Sequence, residues 1–389
     1  MTLFQARKGL EEIEEYSVEH IDADIIVNAN ECNWNLPAEV QAEIAEAAKD
    51  FAFNRYPPMK PEALCNLIAG ELGLAEASVQ IGNGSSELLQ MACYAFGGSG
   101  RKIAFPYPSF SMYGVYTKLA DSRPLPYKLT ADGYIDPEAV IELCEKEKPA
   151  LLIVCNPNNP TGNYNSLEQV EKILASVTCP VIMDEAYMEF AGGFDAKFAG
   201  STLTLLDKYK NFLCMRTFSK AYGLASMRVG YVAGNRELMG ILGKVLLPYH
   251  VNAFSLLAAD IVYKHKAMFV ERTALIIAER EKMRAELAQL GFKVWDSATN
   301  FLLFAGQGVL AEKLGAYGQS RGLVQEEGLA EKISGMTLFK YLLDRKILAR
   351  DFTRHPALPG GIRLTIGTPE ENAVILRTIK ELCEKAGGI

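Results

Sequence analysis

Between about residue 60 and residue 235 the chain repeats one pattern: a short apolar, β-branched run, then a polar or glycine-rich break, then a helical stretch. Runs at 78–81, 102–105, 151–155, 181–184, 211–215 and 228–233 read as strands, several apolar throughout, as strands covered on both faces must be. Helical stretches fall between them, for example at 137–148 and 166–177. The second opens Ser166-Leu-Glu-Gln169, a spelling in which two side chains satisfy each other's free backbone N–H groups. Strand and helix alternating at this spacing imply right-handed crossovers and an α/β fold with a mostly parallel, doubly wound sheet. Ligands are then expected at the carboxyl ends of the strands.

Beyond about residue 250 the texture changes to a long helical segment at 255–290, followed by strand-like runs at 292–295, 300–304 and 361–366. That predicts a second, smaller α+β domain, entered at Leu247-Pro248-Tyr249, where proline stops the preceding helix. The expected division is an N-terminal arm with part of the small domain at 1–40, a large domain at 41–250 and the small domain at 251–389. The glycine-spaced stretch 306–335 reads as a mobile insertion.

With Lys+Arg 40 against Asp+Glu 47 and no basic block, the chain offers no broad footprint for nucleic acid or an anionic membrane. A small-molecule partner is expected. The eight cysteines include no CxxC pair and the four histidines lack ligand spacing, which argues against a metal site and a disulfide framework. The N-terminal stretch carries four glutamates and no signal-peptide pattern, and no apolar run reaches the roughly 18 residues of a membrane span. These features predict a cytoplasmic protein with reduced thiols.

Four motifs carry chemistry. Thr217-Phe-Ser219-Lys220, after an apolar run and with Arg228 eight residues beyond the lysine, offers an amine for a carbonyl cofactor and grips for a phosphate. In Asp184-Glu-Ala-Tyr187, an acid at a strand end can pair with a protonated pyridine nitrogen, and the tyrosine can reach the ring's phenolic oxygen. Asn156-Pro-Asn-Asn159-Pro-Thr-Gly162 forms a tight loop that presents the Asn159 amide. Gly84, Ser85 and Ser86 stand at a strand-to-helix transition, a phosphate cup that is not the dinucleotide fingerprint because Glu87 replaces its third glycine. Singly, each also fits a solvated turn or a helix cap. Together, after strands of one sheet, they supply what a single cofactor needs.

These motifs resemble those of the pyridoxal-phosphate aminotransferases of the aspartate aminotransferase fold. Within that family, Asn28-Ala-Asn30-Glu31, Asn54-Arg-Tyr56-Pro57, the segment from Tyr107 to Tyr113 and the segment from Arg363 to Glu370 resemble the histidinol-phosphate aminotransferase branch. The similarity runs from about residue 15 to 380. It implies that Lys220 holds pyridoxal 5'-phosphate covalently and, once displaced by substrate, moves the proton between Cα and C4′. It further implies that Asp184 keeps the pyridine nitrogen protonated, that Asn159 and Tyr187 donate to the phenolic oxygen, and that Phe110 stacks on the ring. Gly84, Ser85, Ser86, Thr217, Ser219 and Arg228 would surround the phosphate. Tyr56 would reach it from a neighbouring subunit, which makes the functional unit a homodimer.

On the substrate side the resemblance implies roles for Asn30, Glu31, Arg350 and Arg363, two guanidiniums neutralising a dianion better than one. Three departures lie there: Cys32-Asn33-Trp34 where the family has Asn-Pro after the Asn-Glu pair, Pro58 where it has Asp, and fifty residues between Asn300 and Arg350. The expected reaction is transamination between histidinol phosphate and 2-oxoglutarate in histidine biosynthesis. Alternatives are an aromatic amino-acid donor or decarboxylation of threonine phosphate. A transcription regulator on this fold would need a basic helix-turn-helix that the acidic N-terminal segment does not offer.

Overall fold

The computed structural model describes residues 9–11, 13, 21–75, 78–192, 194 and 198–387. Much of the expected N-terminal arm therefore lies outside the described residues. The chain divides into two units, the first taking Leu36–Asn158 and Tyr164–Met268, the second Glu19–Asn35, Asn159–Asn163 and Phe269–Ile389.

In chain order, the two-residue strand β1 (Ile25–Ile26) belongs to the second unit. The first unit then runs α1 (Ala38–Ala47), α2 (Glu62–Leu72), β2 (Val79–Asn83), α3 (Gly84–Phe96), β3 (Lys102–Tyr107), α4 (Met112–Leu119) and β4 (Arg123–Lys128). It continues with α5 (Pro137–Glu147), β5 (Leu151–Cys155), α6 (Leu167–Ser176), β6 (Val181–Asp184), β7 (Phe212–Thr217), β8 (Val229–Gly234), α7 (Arg236–Gly243) and α8 (Ala253–Lys264). Seven strands form one sheet in the order β2-β8-β7-β6-β5-β3-β4. From β7 to β4 all neighbours are parallel, whereas β8 runs antiparallel to both β7 and β2.

The central strands β5, β6, β7 and β8 are buried along their whole length, which is why their sequences are apolar without alternation. Leu88, Leu89 and Ala92 of α3 pack with Ile153, Ile182, Leu213 and Val232 in one core. Helix starts follow local rules: Asp136 accepts N–H groups at the head of α5, and Ser166 with Gln169 forms the capping box expected for α6.

The second unit continues with α9 (Lys266–Gln289), β9 (Phe292–Val294), β10 (Phe301–Gly306), α10 (Gly308–Ser320), α11 (Ala330–Leu343), β11 (Ile347–Leu348), β12 (Arg350–Phe352), β13 (Gly361–Thr365) and α12 (Pro369–Lys385). Its antiparallel sheet has the order β12-β13-β10-β9, and β1 pairs in parallel with β11.

Three expectations are corrected. The division falls at residue 268, not 250, because α8 packs on α1, α2 and β8 of the first unit. The helical stretch 255–290 is two helices, parted at His265. The glycine-spaced stretch 306–335 is not a loop: it contains α10 and the start of α11, packed on each other. Gly315 and Gly318 serve that packing. A Cβ on Gly318 would lie 1.9 Å from Thr337 Oγ1, so only glycine admits α11 this closely.

Candidate active site

In the first unit, the motif-bearing loops leave adjacent strands at their carboxyl ends. Cys155, Asp184 and Met215 lie side by side in the register of β5, β6 and β7. Asn156 N–H donates to the Asp184 carbonyl at 2.9 Å and Glu185 N–H to the Met215 carbonyl at 2.9 Å, extending the ladder into the loops. The lysine-bearing loop differs from its neighbours because it joins the antiparallel pair β7 and β8.

Asp184 is buried, 7% exposed, and its partners among the described residues are neutral. The Tyr113 hydroxyl donates to Oδ2 at 2.7 Å and the Ala186 N–H to Oδ1 at 3.2 Å. Burial pushes this carboxyl above the ordinary aspartate range, and the two donors only partly oppose it. The Tyr113 phenol is itself pushed well up, by burial first and by the Asp184 charge second. A buried acid whose neighbours are neutral donors is matched to a cationic group, and a protonated pyridine nitrogen is one. Phe110 lies edge-on to Tyr113 with ring centroids 5.6 Å apart.

A second cluster gathers around Arg228. Its Nη1 donates to Ser219 Oγ at 3.3 Å and to the Ala225 carbonyl at 2.9 Å, while Thr217 Oγ1 accepts the Ser219 N–H at 3.1 Å. Arg228 has φ +53°, a left-handed conformation that costs a residue with a side chain about 1–3 kcal/mol and concentrates at functional sites. Gly84, at φ +75°, opens α3 beneath it; a Cβ there would stand 2.6 Å from Arg228 Nη2. Gly230 likewise clears the Ser85 N–H, since its Cβ would approach that nitrogen to 2.4 Å. Burial pushes the nearby Tyr116 phenol up, and Ser86 and the Arg228 charge oppose it. An uncapped helix start, hydroxyls and a guanidinium thus share one place, a fit for a phosphate. Lys220 Nζ lies 6.0 Å from the Tyr187 ring centroid. Tyr56 stands apart from this packing: it is 81% exposed and stacks on Tyr249 at 4.6 Å.

In the second unit, Arg363 is 6% exposed and donates through Nη1 to Asn159 Oδ1 and through Nη2 to the Asn28 carbonyl, at 2.5 and 2.7 Å. Because a guanidinium only donates, it fixes the Asn159 amide with its NH2 pointing elsewhere. Phe301 and Phe352 flank the guanidinium at 5.1 and 5.7 Å. Arg350 is directly opposite Arg363 in the β12–β13 pairing and is exposed. Like charges facing across strands repel, so this pair is an arrangement that an anion would relieve. Asn30, at φ +55° and buried, donates its N–H to the Thr365 hydroxyl oxygen at 2.9 Å, and its carbonyl accepts from Asn300 Nδ2 at 3.1 Å. Glu31 is exposed beside it.

The sequence reading missed a buried charge network in the first unit. Arg216 donates to Glu185 Oε2 at 2.9 Å, Glu189 Oε1 at 3.0 Å and Ser201 Oγ at 2.9 Å, and Glu185 also accepts from Thr202. Burial raises the Glu189 carboxyl against the opposing pull of Arg216. Burial works against the Arg216 charge too, yet the two glutamates more than offset it. The available signal was the i,i+4 spacing of Glu185 and Glu189 next to an arginine placed immediately before Thr217. His250 Nδ1, 2.6 Å from Glu87 Oε2, likewise ties the glycine-serine turn to a distant segment, since Glu87 also accepts the Asn83 N–H at 2.7 Å.

The family model described as Aminotransferase class I and II matches residues 24–379. The chain belongs to that family. It is 33% identical to the histidinol-phosphate aminotransferase of Thermoanaerobacter pseudethanolicus over 97% of this chain and 98% of that one. Among solved structures it resembles the histidinol-phosphate aminotransferase of Sinorhizobium meliloti in complex with pyridoxal-5'-phosphate, with TM-score 0.78 and 22% identity over 93% of this chain and 92% of that one. It also resembles the enzyme of the same name from Clostridium acetobutylicum, with TM-score 0.78 and 23% identity over 92% and 98%. These two likenesses establish the aspartate-aminotransferase-like fold of this transaminase.

Proposed function

We propose that this aminotransferase uses pyridoxal 5'-phosphate to exchange an amino group between histidinol phosphate and 2-oxoglutarate, a step of histidine biosynthesis. The observation that carries the substrate class is Arg350 facing Arg363 across two strands, one guanidinium anchored and the other exposed. Histidinol phosphate has no carboxylate, so its phosphate dianion is the group that such a pair neutralises, and the same pair suits the carboxylate of the keto acid.

When bound, the cofactor supplies an electron sink for the charge left at the substrate Cα. The chain's own residues do the rest. Lys220 holds the cofactor and, when free, takes the Cα proton and returns it at C4′. Asp184, kept in place by Tyr113 and Ala186, stabilises a proton on the ring nitrogen. Asn159, turned by Arg363, and Tyr187 donate to the phenolic oxygen. Ser85, Ser86, Ser219, Thr217 and Arg228, around Gly84, grip the phosphate, and Phe110 covers the ring. Asn30 and Glu31 border the substrate.

The reading includes a homodimer in which Tyr56 serves the neighbouring chain's cofactor. Phe53, Tyr56, Met59, Leu247 and Tyr249 expose large apolar side chains along two segments joined by the Tyr56–Tyr249 stack, and such surface is ordinarily covered. Mixing inactive Lys220→Ala chains with Tyr56→Ala chains should restore activity, because one site per mixed dimer is then intact. No recovery after subunit exchange would remove Tyr56 from the site. Among the described residues no helix is long and apolar enough to cross a membrane. With all eight cysteines free, that is consistent with a cytoplasmic setting.

The deciding experiment follows the absorbance of the bound cofactor in keto-acid-free protein mixed separately with L-histidinol phosphate, phenylalanine and threonine phosphate. Conversion to the amine form with histidinol phosphate alone is expected. Conversion with phenylalanine alone would reassign the donor, and CO2 release from threonine phosphate would make the enzyme a lyase.

A further inference from the structure

Residues 28–35 belong to the second unit and contain no helix or strand, so hydrogen bonds to other parts of that unit hold them. At the start of the segment, Arg363 donates to the Asn28 carbonyl at 2.7 Å, the Asn30 N–H donates to Thr365 Oγ1 at 2.9 Å and Asn300 Nδ2 donates to the Asn30 carbonyl at 3.1 Å. Past Asn30, where φ +55° turns the chain, two further side chains take over. Arg272 of α9 donates through Nη1 to Cys32 Sγ at 3.8 Å and through Nη2 to the Asn35 carbonyl at 2.9 Å. Asn33 donates through Nδ2 to Glu371 Oε2 at 2.7 Å, the same oxygen that accepts the Thr368 N–H at the head of α12. Gly367 leaves room for this junction: a Cβ there would stand 2.5 Å from Glu371 Oε2 and 3.4 Å from Asn33 Nδ2. Glu31, itself exposed, thus lies between two fixed points, Asn30 on one side and Cys32 with Asn33 on the other.

We propose that Asn33 and Arg272 are positioning residues for the amino donor, acting through Glu31. The inference rests on the reading that Glu31 borders the substrate. A residue left unfixed has to be ordered when a ligand binds, and that loss of entropy weakens binding. Anchored in advance on both sides, Glu31 meets the donor already in place. The Cys32-Asn33 departure falls on this clamp, since each of the two residues supplies an anchor. A carboxylate accepts a hydrogen bond from the imidazole N–H of histidinol phosphate and repels the dianionic keto acid, so the effect of the clamp is confined to one half-reaction.

The test follows each half-reaction of the cofactor-loaded enzyme by the absorbance of the bound cofactor, over a range of histidinol phosphate or of 2-oxoglutarate. In Asn33→Ala and in Arg272→Met the half-saturating concentration of histidinol phosphate should rise about tenfold, with the limiting rate held within about twofold and with cofactor affinity and the response to 2-oxoglutarate unchanged. Added to Glu31→Ala, neither change should weaken donor binding further, because both act through that residue. Equal weakening toward both substrates, or a full additive loss on top of Glu31→Ala, would make the anchors merely structural and overturn the proposal, as would parent-like kinetics in both single variants. Parent-like affinity for histidinol phosphate in Glu31→Ala would instead overturn the reading that sets Glu31 at the substrate, and this inference with it. Arg272→Met acts from α9 and Asn33→Ala from the segment itself, so the question stays answerable if one variant fails to fold.

Discussion

The two units bring polar side chains together by different means. In the first, each group arrives on a short contiguous motif at the carboxyl end of a buried strand, and neighbouring strands bring the motifs together. In the second, Asn28, Asn30, Asn159, Arg350 and Arg363 come from separate parts of the chain and meet through single hydrogen bonds and one strand pairing. A cofactor common to a whole family can be held by a rigid sheet, whereas a substrate group is read by residues that can vary one at a time.

The largest break in that comparison is expected from Lys220→Ala. It should lower turnover roughly a thousandfold or more while circular dichroism stays unchanged, since general acid–base and covalent roles end together. Normal activity would sink the assignment. Arg216→Met should act on stability: it strands Glu185 and Glu189 without their counter-charge, at a cost of about 3–5 kcal/mol in a denaturant titration. A loss under 1 kcal/mol would mean that the glutamates are held by Ser201 and Thr202 alone.

Asp184→Asn separates chemistry from folding. Turnover should fall about a hundredfold. In cofactor-free protein, burial raises the Asp184 carboxyl, so the folded chain binds that proton more readily than the unfolded chain. Its stabilising contribution is complete below the ordinary aspartate value of about 3.9 and is lost as pH rises through the folded value. Asparagine cannot titrate, so the variant's cofactor-free stability at neutral pH should match or exceed the parent's; a clear loss would show that the carboxylate is structural. In the second unit, Arg363→Ala should reduce kcat/KM for the phosphorylated donor about a hundredfold with little change in cofactor affinity. A collapse of cofactor affinity would assign that arginine to the cofactor instead of the substrate. Arg350→Ala should cost less than about tenfold and fade in high salt, because the side chain is exposed.

What could be read in advance follows the same division. Strands β5, β6 and β7 were legible because burial on both faces demands uninterrupted apolar runs. Strand β4 was not: Arg123-Pro-Leu-Pro-Tyr-Lys128 has two prolines and is tolerated only because it pairs on one side, at the edge of the sheet. The reversed direction of β8 leaves no mark on its composition. The segment around Gly318 misled because glycines that admit a neighbouring helix look like glycines that punctuate a loop. Tyr113 and the Glu185–Arg216–Glu189 network escaped because each depends on partners far apart in the chain, and only folding sets them side by side.

The loop carrying Lys220 leaves β7 and returns at once in β8, stitched at its mouth where Phe218 N–H meets the Val229 carbonyl at 3.0 Å and again where Leu224 N–H meets Phe218. Its backbone is therefore a post fixed at both feet. The amine itself can still swing by rotation about the bonds of its own four-carbon stem, on the picosecond-to-nanosecond scale of rotamer exchange.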